Sequence, residues 1–221
     1  MLARLVLALA ATAAFATGAA AQDEHRRRLA ADLLVIAGDA ARLAAATDTP
    51  LQRDGLRARV VGELSALPLL MRRAGGEASV VPGLRDAAAR GDWQALRSGL
   101  EALQRRYPHD LDAVASADPT PERLRLGQAI HAQACAGCHD APAIDTRWPA
   151  RNLFEQAAAM PRAEFAARLY LGVRGDRSTA YRNPFSDLEL GALLAWYYAS
   201  GTRAAGAAQP SSTRPSAAEK R

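Results

Sequence analysis

Cys135-Ala136-Gly137-Cys138-His139 is the stretch in which residue types and spacing can do chemistry. Two thiols stand three positions apart, and an imidazole follows the second directly. Three residues make nearly one helical turn, so both sulfurs come round to a common side and the next ring points at whatever they hold. C-x-x-C-H is the attachment pattern of a c-type haem. The thiols form thioethers with the porphyrin vinyl groups, and the imidazole becomes the proximal iron ligand. These are the only two cysteines of the chain, so neither has another partner in the sequence.

Three other readings use fewer of these residues. A structural zinc site needs about four ligands, and a second C-x-x-C or an H-x-x-x-H is absent. A thioredoxin-like pair belongs beside a βαβ pattern, which the helical periodicity here does not provide. A plain disulfide or a chance match leaves His139 without a role. Haem attachment requires export to an oxidising compartment, and the N-terminus supplies the means.

Residues 1–21 read as a secretory signal peptide: Arg4, an apolar run from Leu5 to about Ala16, then Ala19-Ala20-Ala21 before Gln22. An uncleaved anchor is the alternative, because the segment nearly reaches the ~20 residues that span a bilayer. The small-residue end with its A-x-A site favours cleavage. No later segment is apolar for long enough to cross a membrane, so the expected location is the periplasm, without stable membrane insertion. The 28 basic and 23 acidic side chains give a formal +5, and Arg4 leaves with the leader. The arginines are scattered along helical faces, without a basic block interleaved with aromatics, which argues against a nucleic-acid partner.

The elements that must position the motif are helical. Leu29, Leu33, Ile36, Ala40 and Leu43 form one apolar stripe. Thr49-Pro50 opens a second helix, along which Leu56, Val60, Leu64, Leu67 and Met71 repeat the pattern, with Pro68 expected to kink or shorten it. Pro82 opens a short helix, and Asp92 caps the next, whose face is Trp93, Leu96, Leu100, Leu103 and Tyr107. The fold class is therefore all-α: a helical bundle over residues 22–117, then a second unit over 118–201, with 202–221 as a disordered tail rich in Ala, Ser and Pro. The boundary falls at Ser116-Ala117-Asp118-Pro119-Thr120-Pro121. The bundle carries no ligand pattern; a docking surface, a dimerisation element and a lid all remain open for it, as does the oligomeric state.

In the second unit Thr120-Pro121 starts the helix that carries Leu124, Gly127, Ile130 and His131 toward Cys135. Pro161 opens a helix with Phe165 and Leu169 on one face. Ser186-Asp187-Leu188-Glu189 is a capping box ahead of Leu190, Leu193, Leu194 and Tyr197.

This arrangement resembles the class I c-type cytochromes, over about the last 80 residues before the tail. Besides C-x-x-C-H it shows a glycine eight residues before the first cysteine, Gly127, and a capped C-terminal helix with Trp196-Tyr197-Tyr198. Four-helix-bundle cytochromes also carry C-x-x-C-H, but close to the C-terminus, whereas some eighty residues follow it here. The resemblance implies one covalent haem c held by Cys135, Cys138 and His139, and a close helix crossing of Gly127 against Trp196 or Tyr197. His131 stands where the family has a packed aromatic, and Pro149 where it supplies a carbonyl to orient the proximal ring. Arg174, Arg177 and Arg182 become either partners of the haem propionates or solvated surface.

The sequence departs from the family at the sixth iron ligand. The interval from Asp176 to Phe185 contains Tyr181 but no methionine, and the one methionine of the unit, Met160, comes earlier. Met160, Tyr181 and an unfilled position are the three options. A thioether ligand suits electron transfer, and an open site suits small-ligand binding. The expected function is single-electron transfer between a redox protein donor and acceptor, not catalysis by the chain alone. A ligand-binding, sensing or weakly peroxidatic haem protein is one alternative, and a cytochrome subunit docked to a periplasmic oxidoreductase is the other.

Overall fold

The computed structural model describes residues 2–108, 115–140, 150–172 and 183–207, with side chains described from residue 22 to residue 200 within those ranges. Among the described residues the regular structure is entirely helical: α1 (Leu2–Ala45), α2 (Pro50–Arg73), α3 (Val81–Ala89), α4 (Trp93–Arg106), α5 (Pro121–Ala134), α6 (Ala136–His139), α7 (Leu153–Ala159), α8 (Arg162–Leu171) and α9 (Asp187–Ala207). The all-α expectation therefore holds. The C-terminal helix continues to Ala207, six residues past the expected end of the second unit at Gly201.

Local chemistry starts these helices where the sequence says it should. Thr49 and Gln52 form a reciprocal capping box, with Pro50 at the first turn of α2. Asp92 accepts from the Ala95 N–H at 3.0 Å, and Thr120 from the Arg123 N–H at 3.3 Å. Ser186 and Glu189 close the box that opens α9.

Pro68 does not end α2, which runs on to Arg73. A proline at this position removes the N–H that would bond the carbonyl four residues earlier. That carbonyl, on Leu64, instead accepts from Arg85 Nε at 3.1 Å, and the Ser65 carbonyl accepts from Arg85 Nη2 at 3.2 Å. An arginine from α3 supplies the one donor that the proline takes away, and a second to the next carbonyl along.

Two apolar cores result, and α1 contributes to both. Leu29, Leu33, Ile36, Ala40 and Leu43 meet the stripes of α2, α3 and α4 in the first core. Ala31 and Val35, on the opposite side of the same helix, join Phe165, Tyr170, Leu193 and Tyr197 in the second. A helix apolar on both sides has to be sandwiched. α1 thus joins the helices that follow it to those beyond Ser116.

Charge reinforces the junction. Asp39 of α1 is fully buried and is paired with Arg59 of α2 and Arg168 of α8. Arg168 Nε also reaches Glu164 at 2.8 Å, and Arg42 Nη2 reaches the same carboxylate at 2.7 Å. Gly38 makes room for this: a Cβ there would overlap the Glu164 carboxylate, 2.6 Å from its Oε2. A chain beginning at Ser116 would keep Arg168 and Glu164 but lose Asp39 and Arg42, and would uncover Phe165 and Tyr170. We expect it to show no cooperative thermal transition by circular dichroism; a sharp melt like that of the full chain would show the C-terminal unit to be independent.

Candidate functional site

α5 delivers the motif. Its last turn closes where the Cys135 N–H donates to the His131 carbonyl at 2.9 Å. The single turn of α6 follows, with the N–H groups of Cys138 and His139 donating to the Cys135 carbonyl at 3.1 and 3.0 Å. Both cysteines are free thiols, Cys135 partly buried and Cys138 exposed.

The His139 ring is oriented. Its Nδ1 lies 2.6 Å from the carbonyl oxygen of Arg151. A carbonyl only accepts, so Nδ1 carries the proton and donates, which leaves the Nε2 lone pair for a metal. Pro149, expected to provide such a carbonyl, lies outside the described residues; Arg151, two positions later, makes the bond. Asn152 holds this point of the chain by capping α7, its Oδ1 accepting from the N–H groups of Phe154 and Glu155 at 2.9 and 3.2 Å.

Behind the motif sits a hydrogen-bonded chain. His131 is buried; its Nδ1 meets the Tyr197 hydroxyl at 2.9 Å and its Nε2 meets Asp140 at 3.1 Å. The expected packed histidine is therefore a bonded one, and Phe154 stacks edge-on against it with centroids 5.0 Å apart. The Tyr197 hydroxyl also lies close enough to the Cys135 thiol to influence its proton. Burial pushes the Cys135 thiol up, and the Tyr197 hydroxyl offsets this only in part. Burial also pushes the Tyr197 phenol far above its ordinary range. A reactive dithiol needs its attacking thiol shifted down; Cys135 is shifted the other way.

Gly127 carries the helix crossing. A Cβ there would run into the Ala192 carbonyl oxygen and lie 2.7 Å from the Trp196 Cβ, so α5 and α9 touch backbone to backbone. The expected contact with Trp196 is present.

Met160 closes α7 in an extended conformation (φ −114°, ψ 160°) and packs, partly buried, against the second core. Tyr181, Arg174, Arg177 and Arg182 lie outside the described residues. Among the described residues no group of three or more His, Cys, Asp and Glu side chains comes together around a metal, so the full ligand set of a zinc site is not assembled there. Arg151 is the site residue that the sequence did not reveal; its one local signal is the helix cap at Asn152, which fixes where its carbonyl must turn.

The chain was compared with protein-family models, curated proteins and solved structures, and none of them matches it.

Proposed function

We propose that this chain is an exported mono-haem c-type cytochrome that passes single electrons between redox protein partners. The observation that carries the reading is the His139 ring, fixed through Nδ1 on the Arg151 carbonyl so that Nε2 is the free ligand atom. Two free thiols, three positions apart in sequence, stand at the adjoining turn. The residues present therefore fit a covalently held haem, with Cys135 and Cys138 as the attachment points and His139 as the axial ligand. Bound there, the haem supplies the Fe(III)/Fe(II) couple. The polypeptide supplies orientation, a low-dielectric setting and tuning of the potential.

Met160 is the proposed sixth ligand among the described residues, with Tyr181 as the competing side chain. Export follows from residues 1–21. α1 is continuous through Ala19-Ala20-Ala21. Among the described residues no helix is long and apolar enough to cross a membrane.

Expression with haem-maturation machinery tests the reading. The expected result is a covalent haem in the purified protein, lost from the chain in the double variant Cys135→Ala/Cys138→Ala, and a low-spin reduced spectrum that carbon monoxide does not perturb. A methionine-to-iron charge-transfer band that disappears in Met160→Ala and survives in Tyr181→Phe identifies the sixth ligand. A high-spin or carbon-monoxide-reactive spectrum would replace electron transfer with ligand binding. A chain without covalent haem would overturn both.

A further inference from the structure

The N-terminal helices have no ligand of their own, yet one line of contacts runs from them to the proximal ring. Asp48 lies in the turn between α1 and α2, its side chain 12% exposed, and accepts at 3.2 Å from Nη2 of Arg151, whose side chain is half exposed. The carbonyl of the same Arg151 accepts from His139 Nδ1 at 2.6 Å. One residue is therefore held by its side chain to the bundle and by its backbone to the imidazole. We propose that Asp48 is a positioning residue for the axial ligand: through the Arg151 guanidinium, the N-terminal helices hold the carbonyl that orients and polarises His139. This inference rests on the haem reading above.

The brace is mechanically sound because Asp48 sits in a fixed frame. α1 packs into both cores, and the buried Asp39, Arg168 and Glu164 lock it to α8. Thr49, the next residue, caps α2 and holds the turn from the other side. On its C-terminal flank Arg151 is held by the Asn152 cap, and its side chain is held by the ion pair with Asp48. Without the ion pair its carbonyl would lose that second hold.

The electronic consequence has a definite sign. Donation from Nδ1–H to a well-placed acceptor makes the imidazole a stronger base toward the metal. A stronger base favours Fe(III) over Fe(II) and lowers the reduction potential. A loosened carbonyl weakens that donation, so the potential rises. The bundle, on this account, keeps the potential low from the proximal side without touching the iron.

The test uses the full-length haem-loaded protein and the variants Arg151→Ala, Arg151→Lys and Asp48→Asn. Three quantities are read: the midpoint potential, the exchange rate of the His139 ring N–H by nuclear magnetic resonance, and the thermal midpoint. Arg151→Ala and Asp48→Asn should both raise the potential and speed the exchange about fivefold, the factor supplied by a pair at the upper end of exposed ion-pair strengths. Arg151→Lys, which keeps the charge, should stay close to the parent. The proposal is overturned if the potential and the exchange rate stay put, or if Arg151→Lys shifts both as far as Arg151→Ala. Should Arg151→Ala fail to take haem, Asp48→Asn, nearly isosteric and distant from the attachment turn, decides alone. A parent protein that takes no covalent haem overturns the haem reading and this inference with it, and that result is known before any variant is compared.

Discussion

Replacing Asp39 with alanine is expected to remove roughly 3–5 kcal/mol of folding stability, the cost of breaking a buried ion pair by removing one partner. Asp39 is buried, and the Arg59 and Arg168 side chains that face it are 7% and 10% exposed. Removing the carboxylate takes one shared acceptor from Arg59, Arg168 and Arg42, while Glu164 stays within reach of Arg168 and Arg42. A domain's whole margin is about 5–15 kcal/mol, so the loss should be plain in urea or thermal denaturation. Asp54→Ala is the matched control. Its pair with Arg57 joins side chains 69% and 55% exposed, and its loss should not move the melt.

The same network sets an acid limit. Burial pushes the Asp39 carboxyl up, but Arg168 and Arg59 more than offset it and hold the group below the usual carboxylate range. A carboxyl depressed in the folded state contributes stability that is fully present above its ordinary pKa. That contribution is lost as pH falls below the ordinary carboxylate range toward the depressed folded value. The parent should therefore lose stability more steeply than Asp39→Ala across the acid range, so that the two denaturation midpoints converge as pH falls. Midpoints that stay equally far apart from pH 7 down to the acid limit would remove Asp39 as the linked group.

What could be read from the chain was local. Caps at Thr49, Asp92, Thr120 and Ser186 announce themselves, because a side-chain oxygen beside the first turn satisfies a donor three residues away. The stripe from Leu29 to Leu43 is equally plain, since one face of a helix repeats every three or four residues. Its other face was not. Ala31 and Val35 add no second periodic signal, and only the second core shows that they are covered. The buried charges were invisible for a related reason. A lone Asp39 on a helix reads as solvated until Arg168, 129 positions later, is brought against it. Pro68 illustrates the converse. The sequence rule for a proline inside a helix is right about the missing bond, and Arg85 answers it from another element.

The C-x-x-C-H turn was legible down to His139 because its three side chains fall within five consecutive residues. Its support was not, because the carbonyl on Nδ1 is a backbone group that every residue carries. Type cannot distinguish Arg151 from Pro149; only the path of the chain can. His131 shows what a buried imidazole adds to packing. A ring that merely packs offers Tyr197 no hydrogen bond, whereas an imidazole bonds it and Asp140 at once.

Gly127→Ala should be among the most damaging single methyl groups that the described residues can receive. The new Cβ would meet the Ala192 carbonyl oxygen first, then the Ala192 carbonyl carbon and the Trp196 Cβ, both 2.7 Å away. Those atoms are backbone or the root of a side chain, so no rotamer change relieves them and α5 must lift from α9. Overpacking of a tight core costs about 1–3 kcal/mol, and this contact belongs at the upper end because nothing flexible absorbs it. The displacement also reaches the site. α5 leads straight into Cys135, and its His131 bonds the Tyr197 hydroxyl on α9, so parting the helices should lower covalent haem yield along with the melting temperature. Ala192→Gly should not rescue the variant, since the obstructing atoms are main-chain. Gly137→Ala provides the contrast: a Cβ there has nothing within 4 Å, and alanine is the better helix former in α6. If Gly127→Ala melts like the parent while Gly137→Ala does not, the close crossing of α5 and α9 is not what holds the attachment turn in place.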